Sequence, residues 1–134
     1  IPLPPDLPGL DVKVTAVQSL RPDLPTPLSK VGAIIGYQES LESSAEVVLS
    51  STDGHKVAVK NGKMLYLGAW LDQVGFMNLF ESCCTAAGVS TVHMPEGVRR
   101  RLTGHEEFWF NYNPQAIETI VGKINTADFI RKEV

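Results

Sequence analysis

The sequence has little of what marks membrane, disulfide-rich or nucleic-acid-binding proteins. Its longest apolar runs are only a few residues, far short of the roughly 20 that span a bilayer. The only cysteines, Cys83 and Cys84, are adjacent, and neighbours on one helix point about 100° apart and cannot bridge each other. Twelve basic and fifteen acidic residues give a formal net charge of −3, which argues against a nucleic-acid partner. Reduced thiols fit a reducing, cytoplasmic compartment.

Motifs for catalysis, metal binding and cofactor binding are also lacking. The three histidines stand far apart without a second ligand at metal-binding spacing: His55, His93 and His105. Glu39 and Glu42 have the residue type of a glycosidase pair, which needs two carboxyls about 5–9.5 Å apart across a cleft. We expect these two in a solvated turn instead. The sequence therefore predicts no cofactor, no metal site and no catalytic residue.

The first part of the chain is rich in proline and then turns apolar. Four prolines in residues 1–10 predict an extended lead-in, and the missing initial methionine suggests a piece of a longer protein. Residues 11–20 alternate between apolar and polar, which predicts a strand, and prolines in 20–29 predict a loop or edge segment. The run 31–37 (VGAIIGY) predicts a buried strand with a bulge or close backbone approach at a glycine, followed by a solvated turn over 38–44.

Two turn signals divide the next segment into three strands. Residues 45–50, 56–60 and 64–68 are short and apolar-rich, and Asp53-Gly54 and Asn61-Gly62 separate them. Such dipeptides supply the positive φ angles that tight hairpins need. The pattern predicts an antiparallel meander, and segment 64–68 is expected to be the last strand of the α/β unit.

One amphipathic helix is predicted over residues 73–87, with Asp72 as its N-terminal cap and Gly88 as its left-handed C-terminal cap. The apolar residues recur at helical spacing on one face: Phe76, Phe80, Cys83, Cys84 and Ala87. A helix of about 15 residues is marginal alone, so we expect this face to be buried on the sheet.

The remaining residues read as a small all-β element. Segments 98–103 and 107–112 flank the turn signal Gly104-His105-Glu106, segment 117–121 is a third strand candidate, and one helical turn is expected near 127–132. The chain as a whole is expected to be α/β to α+β: a mixed, mostly antiparallel sheet with one main helix, then an all-β hairpin element. We place the domain boundary between residues 1–90 and 91–134.

Two tryptophans are the candidate contact residues. In an alternating strand, Trp109 lies on one face and its phenylalanine neighbours lie on the other, so one face is core and the other is open for sugar stacking or a subunit contact. Trp70 has the same alternatives. Arg99 and Arg101 share a strand face that we expect to be solvated, with phosphate or RNA binding as the second interpretation.

Several short motifs follow one another in a fixed order: Glu39 and Glu42, Asp53-Gly54, Tyr66-Leu67-Gly68-Ala69, Ala87-Gly88-Val89, PEGVRRR at 95–101 and FWFN at 108–111. Over about residues 11–115, this series resembles the C-terminal third of bacterial β-galactosidases of glycoside hydrolase family 42. Ala69 stands where that family usually has threonine, and Cys83 and Cys84 stand where it usually has leucines.

The resemblance implies a structural piece of a larger enzyme. Residues 1–90 would be the C-terminal part of an α/β, amidotransferase-like domain that builds a homotrimer, and residues 91–134 an incomplete small all-β domain. The family's two catalytic glutamates belong to a barrel, which would precede Ile1, so no residue here inherits a catalytic role. The parent enzyme would hydrolyse terminal β-D-galactosides with retention. The implied partners are the rest of the parent chain and the trimer subunits.

The sequence therefore leaves two main interpretations of function. The chain is either a non-catalytic β-galactosidase fragment that acts in packing and oligomer contact, or a free-standing carbohydrate-binding or protein-interaction module. A small independent enzyme is the weakest alternative. If only the later strands of an α/β sheet are present, we expect the proline-rich lead-in or another chain to cover its open edge.

Overall fold

A computed structural model describes residues 9–134 of the chain. The chain divides into two compact units, one ending at Ser90 and the other comprising Thr91–Val134. Within residues 9–134, no helix has the length and apolar character needed to cross a membrane. The prediction that an extended lead-in covers a sheet edge falls mainly on residues 1–8, which lie outside the described residues.

The first unit contains a four-stranded antiparallel sheet organised around one long strand. Strand β3 (Ala33–Glu42) pairs with β1 (Lys13–Ser19), β2 (Thr26–Pro27) and β7 (Ala69–Leu71). The predicted turn over 38–44 is therefore wrong, because β3 runs through most of it and buries Gln38 and Glu39. The predicted glycine bulge is confirmed: Gly36 has φ +66°, and the pairing with β7 shifts register around it.

The predicted meander is confirmed as a second, three-stranded sheet. It has the order β4 (Glu46–Ser50), β5 (Lys56–Asn61), β6 (Met64–Leu67), with antiparallel pairing throughout. Both turn glycines have the expected positive φ, +89° at Gly54 and +59° at Gly62. The central strand β5 is the buried one, because both of its edges are paired and its apolar residues are enclosed.

Gly68 joins the two sheets, and β7 after it shows that the prediction of 64–68 as the last strand of the first unit is wrong. Its N–H donates to the carbonyl of Val57 at 2.9 Å, and its carbonyl accepts from the N–H of Glu39 at 2.7 Å. A side chain here would meet Leu41, since a Cβ would lie 2.9 Å from Leu41 Cδ2. The chain therefore leaves the meander at Gly68 and adds β7 to the first sheet.

The predicted helix is confirmed as α1 (Gln73–Ala86), but its buried side is not the predicted one. The Asp72 carboxylate accepts from the N–H of Gly75 at 2.8 Å, and Gly88 has φ +69° after the helix end. Phe76 and Phe80 are 49% and 52% exposed, whereas Gly75 is buried. Backbone contact explains the difference, because a Cβ on Gly32 would lie 2.4 Å from Gly75 N.

The second unit has a three-stranded antiparallel sheet in the order β12 (Phe129–Glu133), β9 (Glu106–Asn111), β8 (Val98–Leu102), and a hairpin of β10 (Ile117–Thr119) and β11 (Gly122–Ile124). The predicted hairpin of β8 and β9 is confirmed. The helical turn predicted near 127–132 is wrong, because that segment pairs with β9 as a strand.

The core of the second unit is small and closed by one polar side chain. Val98, Trp109 and Ile124 are buried together. Asn111 donates from Nδ2 to the carbonyls of Gln115 at 2.8 Å and Asn125 at 3.0 Å, which ties the loop before β10 and the one after β11 to β9. Antiparallel sheets with one helix make the chain α+β rather than α/β.

Candidate interaction surfaces

A buried carboxylate, Glu39 on β3, bonds to side chains from both sheets of the first unit. It is 7% exposed and accepts two phenolic hydrogen bonds of 2.6 Å, from Tyr37 at Oε1 and from Tyr66 at Oε2. Burial is the main cause that raises the pKa of Tyr66, and the hydrogen bond to Glu39 raises it further. The pKa of Tyr37 is raised mainly by its own hydrogen bond to Glu39. The expectation that Glu39 is solvated is therefore wrong.

The two candidate glutamates do not form an acid/base pair. Glu39 is buried, whereas Glu42 is exposed at the end of β3. Three residues of a strand place them about 10 Å apart, with side chains on opposite faces. Both oxygens of Glu39 are already engaged by phenols, so the carboxylate holds structure together and has no free oxygen directed at a substrate.

Trp70 lies at the surface and packs against a neighbouring aromatic ring. Its ring is 66% exposed and pairs with Tyr37 at 5.7 Å between ring centroids. The indole also packs over β3 at Gly36, where a Cβ would lie in ordinary contact with it, 3.6 Å from Trp70 Cε3. Because Tyr37 donates a hydrogen bond to Glu39, the ring against which the exposed indole packs is held in place. Its role in a subunit contact or sugar stacking remains a prediction.

Trp109 occupies the opposite situation. The alternation of β9 does separate it from Phe108 and Phe110, but its face is the buried one, with 1% exposure. The guanidinium of Arg100 lies 5.8 Å from the ring centroid, and Arg100 pairs with Glu107, whose pKa it lowers. Trp109 Nε1 does not meet hydrogen-bond geometry with any described residue. Sugar stacking or a subunit contact at Trp109 would require this core to open.

The exposed side of α1 carries the apolar residues that the sequence assigned to the core. The rings of Phe76 and Phe80 stack on each other at 6.2 Å with an interplanar angle of 13°. Val74 and Met77 are also exposed on the same helix. Cys83 and Cys84 are unbridged and partly buried. The exposed side of α1 is therefore an apolar surface, contrary to the predicted burial of this face.

Comparisons with known proteins identify relatives of this chain. It is 32% identical over 115 residues to a β-galactosidase of Thermus thermophilus, a match that covers 81% of this chain and 17% of that protein. A β-galactosidase structure from the psychrophilic Marinomonas ef1 has a similar fold, with a TM-score of 0.80 and 23% identity, covering 90% of this chain and 20% of that one. No protein-family model matches the chain.

A family 42 enzyme has the same fold over the same extent. The β-galactosidase of that family from G. stearothermophilus gives a TM-score of 0.65 at 12% identity, covering 94% of this chain and 24% of that chain. The chain spans about a sixth of the length of the curated relatives that it matches, 17% in each case. The resemblance carried by the short motifs is confirmed: the chain belongs to the β-galactosidase family, as a segment of a longer β-galactosidase sequence.

Proposed function

We propose that this chain serves a β-galactosidase as a packing and oligomer-contact segment and takes no part in the chemistry. The parent enzyme would hydrolyse terminal β-D-galactosides with retention through carboxylates outside residues 1–134. The first unit would end the trimerisation domain, and the second would belong to the small all-β domain. With its unbridged cysteines, the enzyme would work in the cytoplasm.

The stacked pair of Phe76 and Phe80 carries this proposal. Two aromatic side chains about half exposed, side by side on a helix, leave a large apolar area in water. Each would gain roughly 1–1.5 kcal/mol from full burial, half of the 2–3 kcal/mol of a whole side chain. Aromatic residues that are half buried before association are typical centres of protein–protein contacts. A second polypeptide surface would complete their burial.

The acidic side chains support a non-catalytic role. Glu39 is the buried carboxylate among the described residues, and both of its oxygens accept from tyrosines. A retaining glycosidase needs two carboxyls facing each other across a sugar, about 5–5.5 Å apart. Glu39 and Glu42 are three residues apart on β3, so their side chains lie on opposite faces and do not face each other. Galactoside chemistry would therefore depend on residues elsewhere in the parent.

The test uses the 134-residue chain and a full-length gene product that contains it after a barrel. We expect no turnover of a chromogenic galactoside by the chain and turnover by the full-length enzyme. In the full-length enzyme, Phe76→Lys with Phe80→Lys should raise the trimer dissociation constant at least ~10-fold, measured by light scattering across a concentration series.

A matched control places the same charge elsewhere on the helix. Thr85 is exposed on another side of α1, so Thr85→Lys should leave the trimer unchanged. Turnover by the isolated chain, or an unchanged trimer in the double variant, would reject the proposal.

The alternative is a free-standing carbohydrate-binding or protein-interaction module, favoured by the supported and exposed indole of Trp70. Titration of the chain with galactose, monitored by Trp fluorescence, distinguishes it. Saturable binding that Trp70→Ala abolishes would favour the module, and no binding would favour the structural segment.

A further inference from the structure

The outward face of the second unit's sheet carries a continuous group of aromatic rings. The rings of Phe108 and Phe110 on β9 lie 6.1 Å apart with an interplanar angle of 13°. The ring centroid of Phe110 lies 5.8 Å from that of Phe129 on β12 and 6.2 Å from that of Tyr112. This face is opposite to the core that contains Trp109, because side chains alternate along β9.

Arginines flank these rings on both edge strands. Register places Arg99 opposite Phe110, and Arg101 opposite Phe108, with Arg131 on the far side of Phe108. Paired residues of antiparallel strands share a face, so the side chains of all three arginines lie on the same face of the sheet as the rings. We call this surface the aromatic–arginine face, comprising Arg99, Arg101, Phe108, Phe110, Tyr112, Phe129 and Arg131.

Charge on this face is only partly compensated. Arg131 pairs with Glu106. Arg99 donates to its neighbouring carbonyl at Val98, and within residues 9–134 neither Arg99 nor Arg101 has an ion pair. Phe129 and Tyr112 are each more than half exposed. Aromatic rings beside unpaired arginines match the composition of protein–protein contact centres and call for carboxylates on the partner.

We propose that the aromatic–arginine face docks onto an acidic, partly apolar surface of the same parent polypeptide, outside residues 1–134. This inference rests on the proposed function, and it adds the second unit's partner and that partner's chemistry. The match covers 17% of the Thermus thermophilus relative, so most of a relative's polypeptide lies outside the corresponding segment and is available as the partner. The chain's net charge of −3 favours this occupant over a nucleic acid strand.

The first experiment is hydroxyl-radical footprinting of the 134-residue chain and of the full-length enzyme under the same conditions. We expect oxidation of Tyr112 and Phe129 to fall at least ~5-fold in the full-length enzyme, since docking excludes solvent from both rings. Phe76 and Phe80, on the other unit, report separately on the proposed oligomer contact. Equal oxidation of Tyr112 and Phe129 in the two proteins would overturn the inference.

The second experiment does not require the isolated chain to fold. In the full-length enzyme, Arg99→Glu with Arg101→Glu should increase Tyr112 oxidation at least ~3-fold, because like charges would then face each other. Lys123→Glu is the matched control, since Lys123 is exposed on β11 away from this face, and it should change nothing. An unchanged footprint in the double variant would overturn the inference.

Two further outcomes separate other occupants. Protection of Tyr112 that disappears when the Phe76→Lys, Phe80→Lys variant dissociates the trimer would assign the partner surface to a neighbouring subunit and overturn this proposal. Tight, salt-sensitive binding of a single-stranded RNA oligonucleotide by the full-length enzyme, lost in the Arg99→Glu, Arg101→Glu variant, would overturn it in favour of RNA. Galactosidase activity of the full-length enzyme tests the proposed function independently of all these footprints.

Discussion

Tyr66 donates a hydrogen bond of 2.6 Å to the carboxylate of Glu39 and thereby joins the two sheets of the first unit. Tyr66 belongs to the last strand of the meander, and Glu39 belongs to the central strand of the other sheet. Tyr37 occupies the second carboxylate oxygen from within the first sheet. A buried carboxylate needs such donors, because removing it from water without partners costs several kcal/mol.

Removal of the Tyr66 hydroxyl should therefore destabilise the protein. We expect Tyr66→Phe to lower the free energy of unfolding by about 1.5–3 kcal/mol, the range for hydrogen bonds to charged groups. Urea denaturation followed by circular dichroism measures this change. Tyr112→Phe is the control, since Tyr112 is exposed and its hydroxyl makes no hydrogen bond within the described residues. A Tyr66→Phe variant as stable as the wild type would contradict the role given to this contact.

The same contacts predict a loss of stability in alkali. The pKa of Tyr66 is raised above the value of about 10 that an unfolded chain has, so above that pH the unfolded state releases a proton that the folded state keeps. The folded state is thus favoured fully below about pH 10, and this contribution is lost as the pH rises further. Unfolding free energies measured from pH 8 to 11 should decline above about pH 10, and less steeply for Tyr66→Phe. A slope that this substitution leaves unaltered would refute the assignment.

Two glycines with the same backbone conformation should respond differently to substitution. Gly32 and Gly54 both have φ +89°, but a Cβ on Gly32 would lie 2.4 Å from Gly75 N, whereas one on Gly54 meets nothing within 4 Å. Gly54→Ala should cost about 1–2 kcal/mol from backbone strain alone. Gly32→Ala should cost at least about 3 kcal/mol, because α1 must also move away. Similar costs in urea denaturation would mean that the helix does not depend on this close approach.

Substitution of the two tryptophans should lower the free energy of unfolding by different amounts. Trp109→Ala should cost about 3–5 kcal/mol, since the indole fills the core of the second unit. Trp70→Ala should cost less than about 1.5 kcal/mol, because most of its ring is already in water. Differential scanning calorimetry can follow both. A large loss for Trp70→Ala would assign that residue to the fold instead of to a contact surface.

Local signals in the sequence predicted local structure well. The Asp-Gly and Asn-Gly turns predicted the meander, and Asp72 and Gly88 predicted both ends of the helix. These predictions hold because such residues act through their own backbone angles and nearest hydrogen bonds. The error at β12 has the same origin. Residues 129–133 have weak local preference, and pairing with β9, 19 to 27 residues earlier in the chain, makes them a strand.

Apolar periodicity predicted the helix but assigned its buried side incorrectly. Phe76 and Phe80 form a regular apolar face, yet Gly75 is the residue that meets the sheet. A contact between two glycine backbones leaves no hydrophobic signal, so the pattern could not show it. The exposed phenylalanines fit a segment whose apolar surface is completed by further polypeptide, and the family resemblance gave the same expectation.

The sequence alone determined the turns, the helix and the family, because each depends on a few residues in a fixed order along the chain. The tertiary structure decided which side chains are buried. Glu39, expected in water, is enclosed because Tyr37 and Tyr66 reach it from two sheets. Trp109 is core and Trp70 is surface, although both are indoles at strand positions. Burial depends on what the rest of the fold places opposite a residue, and no single stretch of sequence contains that information.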